Sequence, residues 1–339
     1  MGKQTDATAD KYVKKSRARD PSYRRIYGNY PAKKYKKGTP AVTRLSFEMT
    51  GGATQYIDLA LALSILNRKA YRQGCYYYVN NIEVYNNSDG YVDFHVLPDT
   101  WMTRAAYRRG LGIWNEQNAR AMDTVGNIAG KWHDFKVYMS NRHRTTGSEL
   151  PNTYDINSAT TNQEADDWDY SEYVSADDDN DGIQNADDMA IHMLGPHVGS
   201  PANWTSVGLI QSYEDTRGRI SPEPVVDTAD LLADPLANLF DYSSEEQLNE
   251  VFENLLDHGN DQPPYKNDIM NGKQDDHHQQ VGRAVTTPTL GRVTKIDGFC
   301  APLGLIMVDP QQIAGNDNFR VVVNLAIGTY HGVYAERIA

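Results

Sequence analysis

Residues 75–97 read CYYYVNNIEVYNNSDGYVDFHVL and give the clearest strand signal in the chain. Residues 75–85 and 90–97 are rich in tyrosine, valine and isoleucine, which favour strands. Asn, Ser, Asp and Gly fill the short segment between them and are typical of a turn. The stretch therefore predicts a β-hairpin and a β-rich fold.

Further strands are predicted on both sides of this hairpin. Residues 41–50 and 131–140 alternate between apolar and polar side chains, whereas residues 55–66 are apolar enough for either a buried strand or a short helix. Other strand-like runs are residues 204–213, 292–296, 299–308, 319–327 and 329–337. Because no strand–helix–strand alternation is seen, the fold class predicted is mainly β, an antiparallel β-sandwich with helical and loop insertions.

Helices are predicted in the connections. Residues 100–122 indicate a helix interrupted at Gly110 and Gly112, in which Arg104 and Arg108 are one turn apart and share a face. That face suits nucleic acid, a neighbouring subunit's acids or solvent. Residues 147–201 form a polar, acidic insertion, and residues 227–280 a second insertion whose best helix is 243–258.

The first 44 residues differ sharply from the rest. They contain 13 Lys and Arg against three Asp, five tyrosines, and no Leu, Phe or Trp. Such a segment cannot bury a core, so residues 1–40 are predicted to be a disordered basic arm. Lys and Arg displace counterions from phosphates and tyrosine rings stack on unpaired bases, which favours single-stranded nucleic acid over a plain solvated tail. The predicted binding residues are Lys14, Lys15, Arg17, Arg19, Arg24, Arg25, Lys33, Lys34, Lys36 and Lys37.

The charge of the remaining chain is opposite. Residues 149–280 carry 29 acids and four bases, and the whole chain has a net charge of −12. No apolar run is long enough to span a bilayer, and the N-terminal residues do not resemble a secretion signal, so no membrane partner is expected. Cys75 and Cys300 are predicted to be buried free thiols.

The segment DDDNDGIQNADD, residues 177–188, has the spacing of a calcium loop. Oxygen ligands at alternate positions surround one ion, and Gly182 permits the tight turn. The predicted ligands are Asp177, Asp179, Asp181, Ile183 through its carbonyl, Asn185 and Asp188. The segment resembles dockerin and thrombospondin-type calcium loops, and the residues after Asp187 are expected to form a short exiting helix.

Other chemical motifs are weak. His192 with His197, and the run Asp275-Asp276-His277-His278, offer imidazoles for a transition metal but lack the usual zinc spacing. No nucleophile, dinucleotide or phosphate-loop motif is present in the sequence. The sequence gives no sign of an enzyme.

The basic arm followed by a strand-rich domain resembles the capsid proteins of small icosahedral viruses, especially those with circular single-stranded DNA genomes (CRESS-DNA-like). The resemblance implies a jelly-roll capsid domain over residues 41–339, many-copy self-assembly and an arm that holds the genome inside the shell. It also implies localisation in the virion, and in the host nucleus or cytoplasm during assembly, while the receptor stays unknown. The alternatives are a non-viral nucleic-acid-binding protein and a calcium-dependent carbohydrate-binding β-sandwich.

Overall fold

The computed structural model describes most of the chain after the arm. The described residues are 40–126, 133–152, 168–176, 186–200, 203–216, 249–250, 272, 277–288, 293–313, 315 and 317–338. They belong to one unit, Thr39–Ala339. The fold is mainly β, with antiparallel sheets that curl into a half-barrel.

The described strands and helices follow one another along the chain in a fixed order. They are β1 (Arg44–Thr50), β2 (Gln55–Asp58), α1 (Leu59–Asn67), β3 (Cys75–Tyr85), β4 (Gly90–Val96), α2 (Trp101–Val125), β5 (Tyr138–Ser140), α3 (Asn141–Thr146), β6 (Glu172–Ala176), β7 (Ala186–Leu194), β8 (Val198–Ser200), β9 (Asn203–Gly208), α4 (Leu209–Thr216), β10 (Gln279–Thr286), β11 (Val293–Pro302), β12 (Leu305–Gln311), β13 (Asn318–Leu325), β14 (Ile327–Tyr330) and β15 (Ala335–Arg337).

Two antiparallel sheets form the main body. Sheet A has the order β1-β13-β3-β11, with β15 beside β3, and sheet B has the order β10-β4-β12-β2. The strands predicted at residues 75–85 and 90–97 are confirmed, but the predicted hairpin is wrong because β3 and β4 lie in different sheets. Asn86 builds the corner between them: its side chain accepts from the Ser88 N–H at 3.1 Å and donates to the Thr286 hydroxyl at 3.0 Å.

Eight strands of these sheets pair in a nested order. Along the chain they are β1, β2, β3, β4, β10, β11, β12 and β13. The first pairs with the eighth, the second with the seventh, the third with the sixth and the fourth with the fifth. In addition, the eighth lies against the third and the seventh against the fourth. All six pairings are antiparallel, and they divide the eight strands equally between sheets A and B.

The main core lies between sheets A and B. Alternate residues of each strand point inwards, as the period of a strand requires. Phe47, Tyr77 and Phe319 enter from sheet A and meet Phe94 and Val308 from sheet B, all of them buried. Aromatic and aliphatic side chains of both sheets thus form one continuous apolar core.

A further layer is inserted between β4 and β10. It contains α2, α4 and sheet C, which has the order β5-β7-β9-β8 with β6 also beside β7. This layer covers the outer face of sheet B through a second core, where Tyr56 and Leu305 of sheet B meet Tyr107, Ile191 and Leu209 of the insertion. In sheet C, β7 pairs in parallel with β5 and β9.

Several predicted elements differ from the observed ones. Residues 55–66 contain both a strand and a helix, and α2 runs through both glycines without a break. Residues 186–194 form strand β7 and not the expected exiting helix. Only Tyr138–Ser140 of the predicted strand at 131–140 is a strand among its described residues, and the strand predicted at 204–213 ends in α4.

The remaining predictions for the insertions are covered only in part. Of the helix at 243–258 the structure describes Asn249 and Glu250, both helical. Strand β10 was missed, since its first residues were assigned to a polar loop. Cys75 is a buried free thiol as predicted, whereas Cys300 is free but only partly buried.

Candidate functional site

The residues predicted to bind nucleic acid and calcium lie mostly outside the described residues. This holds for all ten arm cations and for five of the six calcium ligands. The sixth, Asp188, is exposed on β7 opposite Val174 of β6. Residues 177–185 connect these two antiparallel strands, whose nearest pair, Ala176 and Ala186, brings both ends of the connection side by side.

The histidine pair predicted as a weak metal site has another use. The buried His192 ring is 2.7 Å from the Ser206 hydroxyl and 3.0 Å from the Pro196 carbonyl, and burial lowers its pKa to about 4. His197 Nδ1 accepts the Gly208 N–H at 3.1 Å. Both rings therefore hold the chain between β7 and α4. Within the described part of the chain no three His, Cys, Asp or Glu side chains converge as metal ligands.

The outer face of sheet A carries several ion pairs beside the start of β1. Glu83 accepts from Arg44 at 2.9 Å and faces Lys295 at 3.1 Å. The hydrogen bond from Lys295, supported by one from Tyr85, lowers the pKa of Glu83. Arg320 pairs with Glu48 on the same face. Two carboxylates, Glu83 and Glu48, therefore pair with three cations on this face and leave one excess positive charge among these residues.

Arg104 and Arg108 share one face of α2, as predicted, and line a cavity of about 340 Å³ that we call the arginine cleft. Its other walls come from β3, β11 and β15. Arg104 is held by a bidentate ion pair with Asp99, at 3.0 and 2.9 Å. Tyr76 donates its hydroxyl to the same carboxylate at 3.0 Å. The charge of Asp99 is therefore fully engaged.

A second cluster, which we call the polar relay, lies buried where the inserted layer meets the main body. It consists of Asp58, Gln73, His143, Ser148 and Tyr170. Asp58 caps α1: its Oδ1 accepts two backbone N–H groups of the first turn at 2.9 and 3.1 Å. Its Oδ2 accepts from Gln73 at 3.0 Å and from Tyr170 at 3.3 Å.

The backbone fixes the direction of the relay. The Met139 N–H donates to His143 Nδ1 at 3.0 Å, so we assign the ring proton to Nε2. His143 Nε2 therefore donates to Ser148 at 2.7 Å, Ser148 donates to Tyr170 at 2.8 Å, and Tyr170 donates to Asp58. A histidine that donates to a serine cannot act as the base that activates it. The relay is therefore a structural link between layers and not a nucleophile–base pair.

Burial perturbs both titratable ends of the relay. It raises the pKa of Asp58 to about 6, against the opposing effect of its hydrogen-bond donors. It lowers the pKa of His143 to about 3, so the ring is neutral at pH 7. The sequence did contain one signal of this cluster, because Asp58 is an acid inside the apolar run of residues 55–66, and a buried acid needs partners. The hydrogen-bond partners of the Asp58 side chain, Gln73 and Tyr170, lie far from it in the sequence, so no local pattern predicted them.

Within the described residues no helix is both long and apolar enough to cross a bilayer. Comparison of the chain with protein-family models, with curated proteins and with solved structures gave no match.

Proposed function

We propose that this chain is a capsid protein that assembles into a closed shell and packages a single-stranded genome through residues 1–40. Its role is structural and not enzymatic. The observation that carries the proposal is a segment with nine excess positive charges, residues 1–40, that precedes the first strand of a curled body of eight nested strands.

The nested strand pairing supports a jelly roll. In that fold an eight-stranded ribbon, paired first with eighth through fourth with fifth, wraps into two four-stranded sheets. Four pairings of sheets A and B follow this rule, and the pairings of β13 with β3 and of β12 with β4 join them into two four-stranded sheets. Jelly rolls serve capsids and also carbohydrate-binding domains, so the fold by itself does not choose between them. The arm favours the capsid.

The arm acts by charge and not by sequence readout. Binding of about ten phosphates to single-stranded nucleic acid gives a slope of roughly −7 in log K against log salt. The body is strongly acidic over residues 149–280, so it repels the same polymer. This polarity favours assembly with the arms together on the genome and the acidic insertions away from it.

The test is deletion of residues 1–40 in the expressed protein. Negative-stain microscopy should find particles for the full chain, and the ratio of absorbance at 260 and 280 nm should report nuclease-protected nucleic acid in them. The deletion should abolish protected nucleic acid while leaving folded protein. Normal packaging without the arm would refute its role, and a full chain that stays monomeric in light scattering would favour the non-viral nucleic-acid-binding alternative.

We also propose that residues 177–188 bind calcium. Pairing of β6 with β7 brings the two ends of residues 177–185 side by side, so nine of the twelve positions lie between the strands and Asp188 lies on β7. Replacing both Asp177 and Asp181 by alanine should abolish a chelator-sensitive shift in thermal stability. If calcium shifts neither the parent nor the variant, the loop is only a solvated acidic connection. Calcium-dependent glycan binding that survives deletion of the arm would favour the carbohydrate-binding alternative.

A further inference from the structure

We propose that the arginine cleft binds a phosphate group, either free or as part of a nucleotide. This proposal does not depend on shell assembly, because the cleft is formed within one chain. It concerns residues of α2 and β15 that neither the arm nor the calcium loop involves.

The charge balance of the cleft is the first argument. Three arginines line it, against the two acids Asp99 and Glu336. Asp99 is fully engaged by Arg104, and Glu336 accepts the Tyr334 hydroxyl at 2.6 Å. Neither Arg108 nor Arg337 has an ion pair among the described residues. Three guanidinium groups and two carboxylates leave these lining residues with one excess positive charge beside the cavity.

Preorganisation is the second argument. Arg108 donates from Nε and from one terminal nitrogen to the Ile338 carbonyl, at 3.1 and 2.9 Å. This neutral acceptor fixes the plane of the guanidinium, and among the described residues the other terminal nitrogen has no hydrogen-bond partner and the group has no ion pair. Arg337 follows on β15, which pairs with β3 along the same wall. A rigid cation loses little side-chain entropy when a ligand binds.

The chemistry of the walls then selects the ligand. Guanidinium groups match the oxygens of phosphate by paired N–H donors. The cleft lies beside the first two turns of α2, which carry Arg104 and Arg108. A volume of about 340 Å³ falls at the lower end of small-ligand sites, which suits a phosphate with one attached group. The rings of Tyr76 and Tyr78 supply apolar walls for that group.

The experiment follows individual arginines in the full chain. Phenylglyoxal modifies accessible arginines, and mass spectrometry of the digested protein counts the product at each one. Inorganic phosphate and, separately, a thymidine hexanucleotide are the probes, with chloride at equal ionic strength as the reference. Protection of Arg108 and Arg337, with Arg109 unchanged, is the expected result. If phosphate and chloride gave the same extent of modification at Arg108, at Arg337 and at Arg109, the proposal would be overturned.

Thermal unfolding gives an independent readout. A ligand that binds a segment equally before and after unfolding does not move the midpoint, so binding to the predicted disordered arm does not interfere. Phosphate at ten times its Kd should raise the midpoint by about 2 °C. The rise should vanish when Arg108 and Arg337 are both changed to glutamine. It should persist in the charge-matched control, Arg109→Gln with Arg120→Gln, and its survival in the first variant would count against the cleft.

The two probes separate the possible sources of the phosphate. If inorganic phosphate and the hexanucleotide protect the arginines from phenylglyoxal equally at the same phosphate concentration, the cleft is a site for free phosphate. Stronger protection by the hexanucleotide indicates a nucleotide site, in which the attached group contacts the tyrosine walls. Either result supports phosphate recognition by the cleft.

Discussion

Acidification should destabilise this protein through His143, and the size of the effect follows from its burial. The ring is fully buried, is hydrogen-bonded through both nitrogens and stacks on Tyr56 at 4.6 Å between ring centroids. Its pKa falls from 6.5 to about 3 on folding because burial disfavours the charged ring. Between these two values the unfolded chain binds the proton and the folded chain does not. Stability from this group is therefore complete above pH 6.5 and is lost as the pH falls.

Each pKa unit corresponds to about 1.4 kcal/mol, so the whole window is worth about 5 kcal/mol. Between pH 7.5 and pH 5.0 only the part below 6.5 counts, which gives a loss of about 2 kcal/mol. The matched variant is His143→Gln, which keeps a side-chain donor but cannot take a charge. At pH 7.5 it should be less stable by about 2 kcal/mol, because the Met139 N–H loses its acceptor and the stacked ring is gone.

The measurement is equilibrium urea unfolding of both full-length proteins at several pH values and fixed ionic strength. The gap in free energy of unfolding should close from about 2 kcal/mol at pH 7.5 towards zero at pH 5.0. Other titrating groups, including Asp58 and His192, are present in both proteins and cancel in the difference. A gap that stays constant over this range would show that His143 does not carry the predicted pKa shift.

Three further predictions concern stability. Asp58 should affect stability in the opposite direction to His143, because burial raises the pKa of Asp58 to about 6. As the pH rises from 4.5 to 6, the wild type should lose about 2 kcal/mol of unfolding free energy relative to Asp58→Asn, measured by the same urea titrations. Gly112→Ala, in the exposed part of α2, should stabilise the protein by about 0.5–1 kcal/mol. Gly110→Ala should destabilise it by about 1–3 kcal/mol, because the new Cβ would lie 2.9 Å from both methyl carbons of Leu209. The two variants should therefore shift the melting temperature in opposite directions. Tyr170→Phe should cost about 1–3 kcal/mol by breaking the relay, and an unchanged midpoint in urea would contradict the assigned hydrogen bonds.

Strand identity could be predicted from the sequence where one face of a strand is apolar. Strand β3 is rich in tyrosine, valine and isoleucine and alternates in its first half, and its bounds agree with the prediction. The strands that pair with β3 could not be predicted. A short turn-like segment can join two strands of the same sheet or two strands of different sheets. Which arrangement forms depends on distant segments such as β13, which pairs with β3 in sheet A.

The insertions were harder to predict because composition concealed their strands. Strand β7 begins with acids and becomes apolar only at its end, so the acidic pattern favoured a loop followed by a helix. Strand β10 is an edge strand with several exposed residues and therefore lacks a continuous apolar face. The same reason limits site prediction. The arginines of α2 could be found from helical spacing, but Arg337 reaches the cleft only through the pairing of β15 with β3.

The insertion between β4 and β10 has a consequence for folding kinetics. These two strands are neighbours in sheet B, yet 182 residues separate them along the chain. Closing a flexible segment of that length costs about 3 kcal/mol more than closing a five-residue turn. Early packing of α2, α4 and sheet C against one another shortens the effective separation and lowers this barrier. We therefore expect the inserted layer to form first in the nascent chain. Sheet B should be completed late, when β10 pairs with β4.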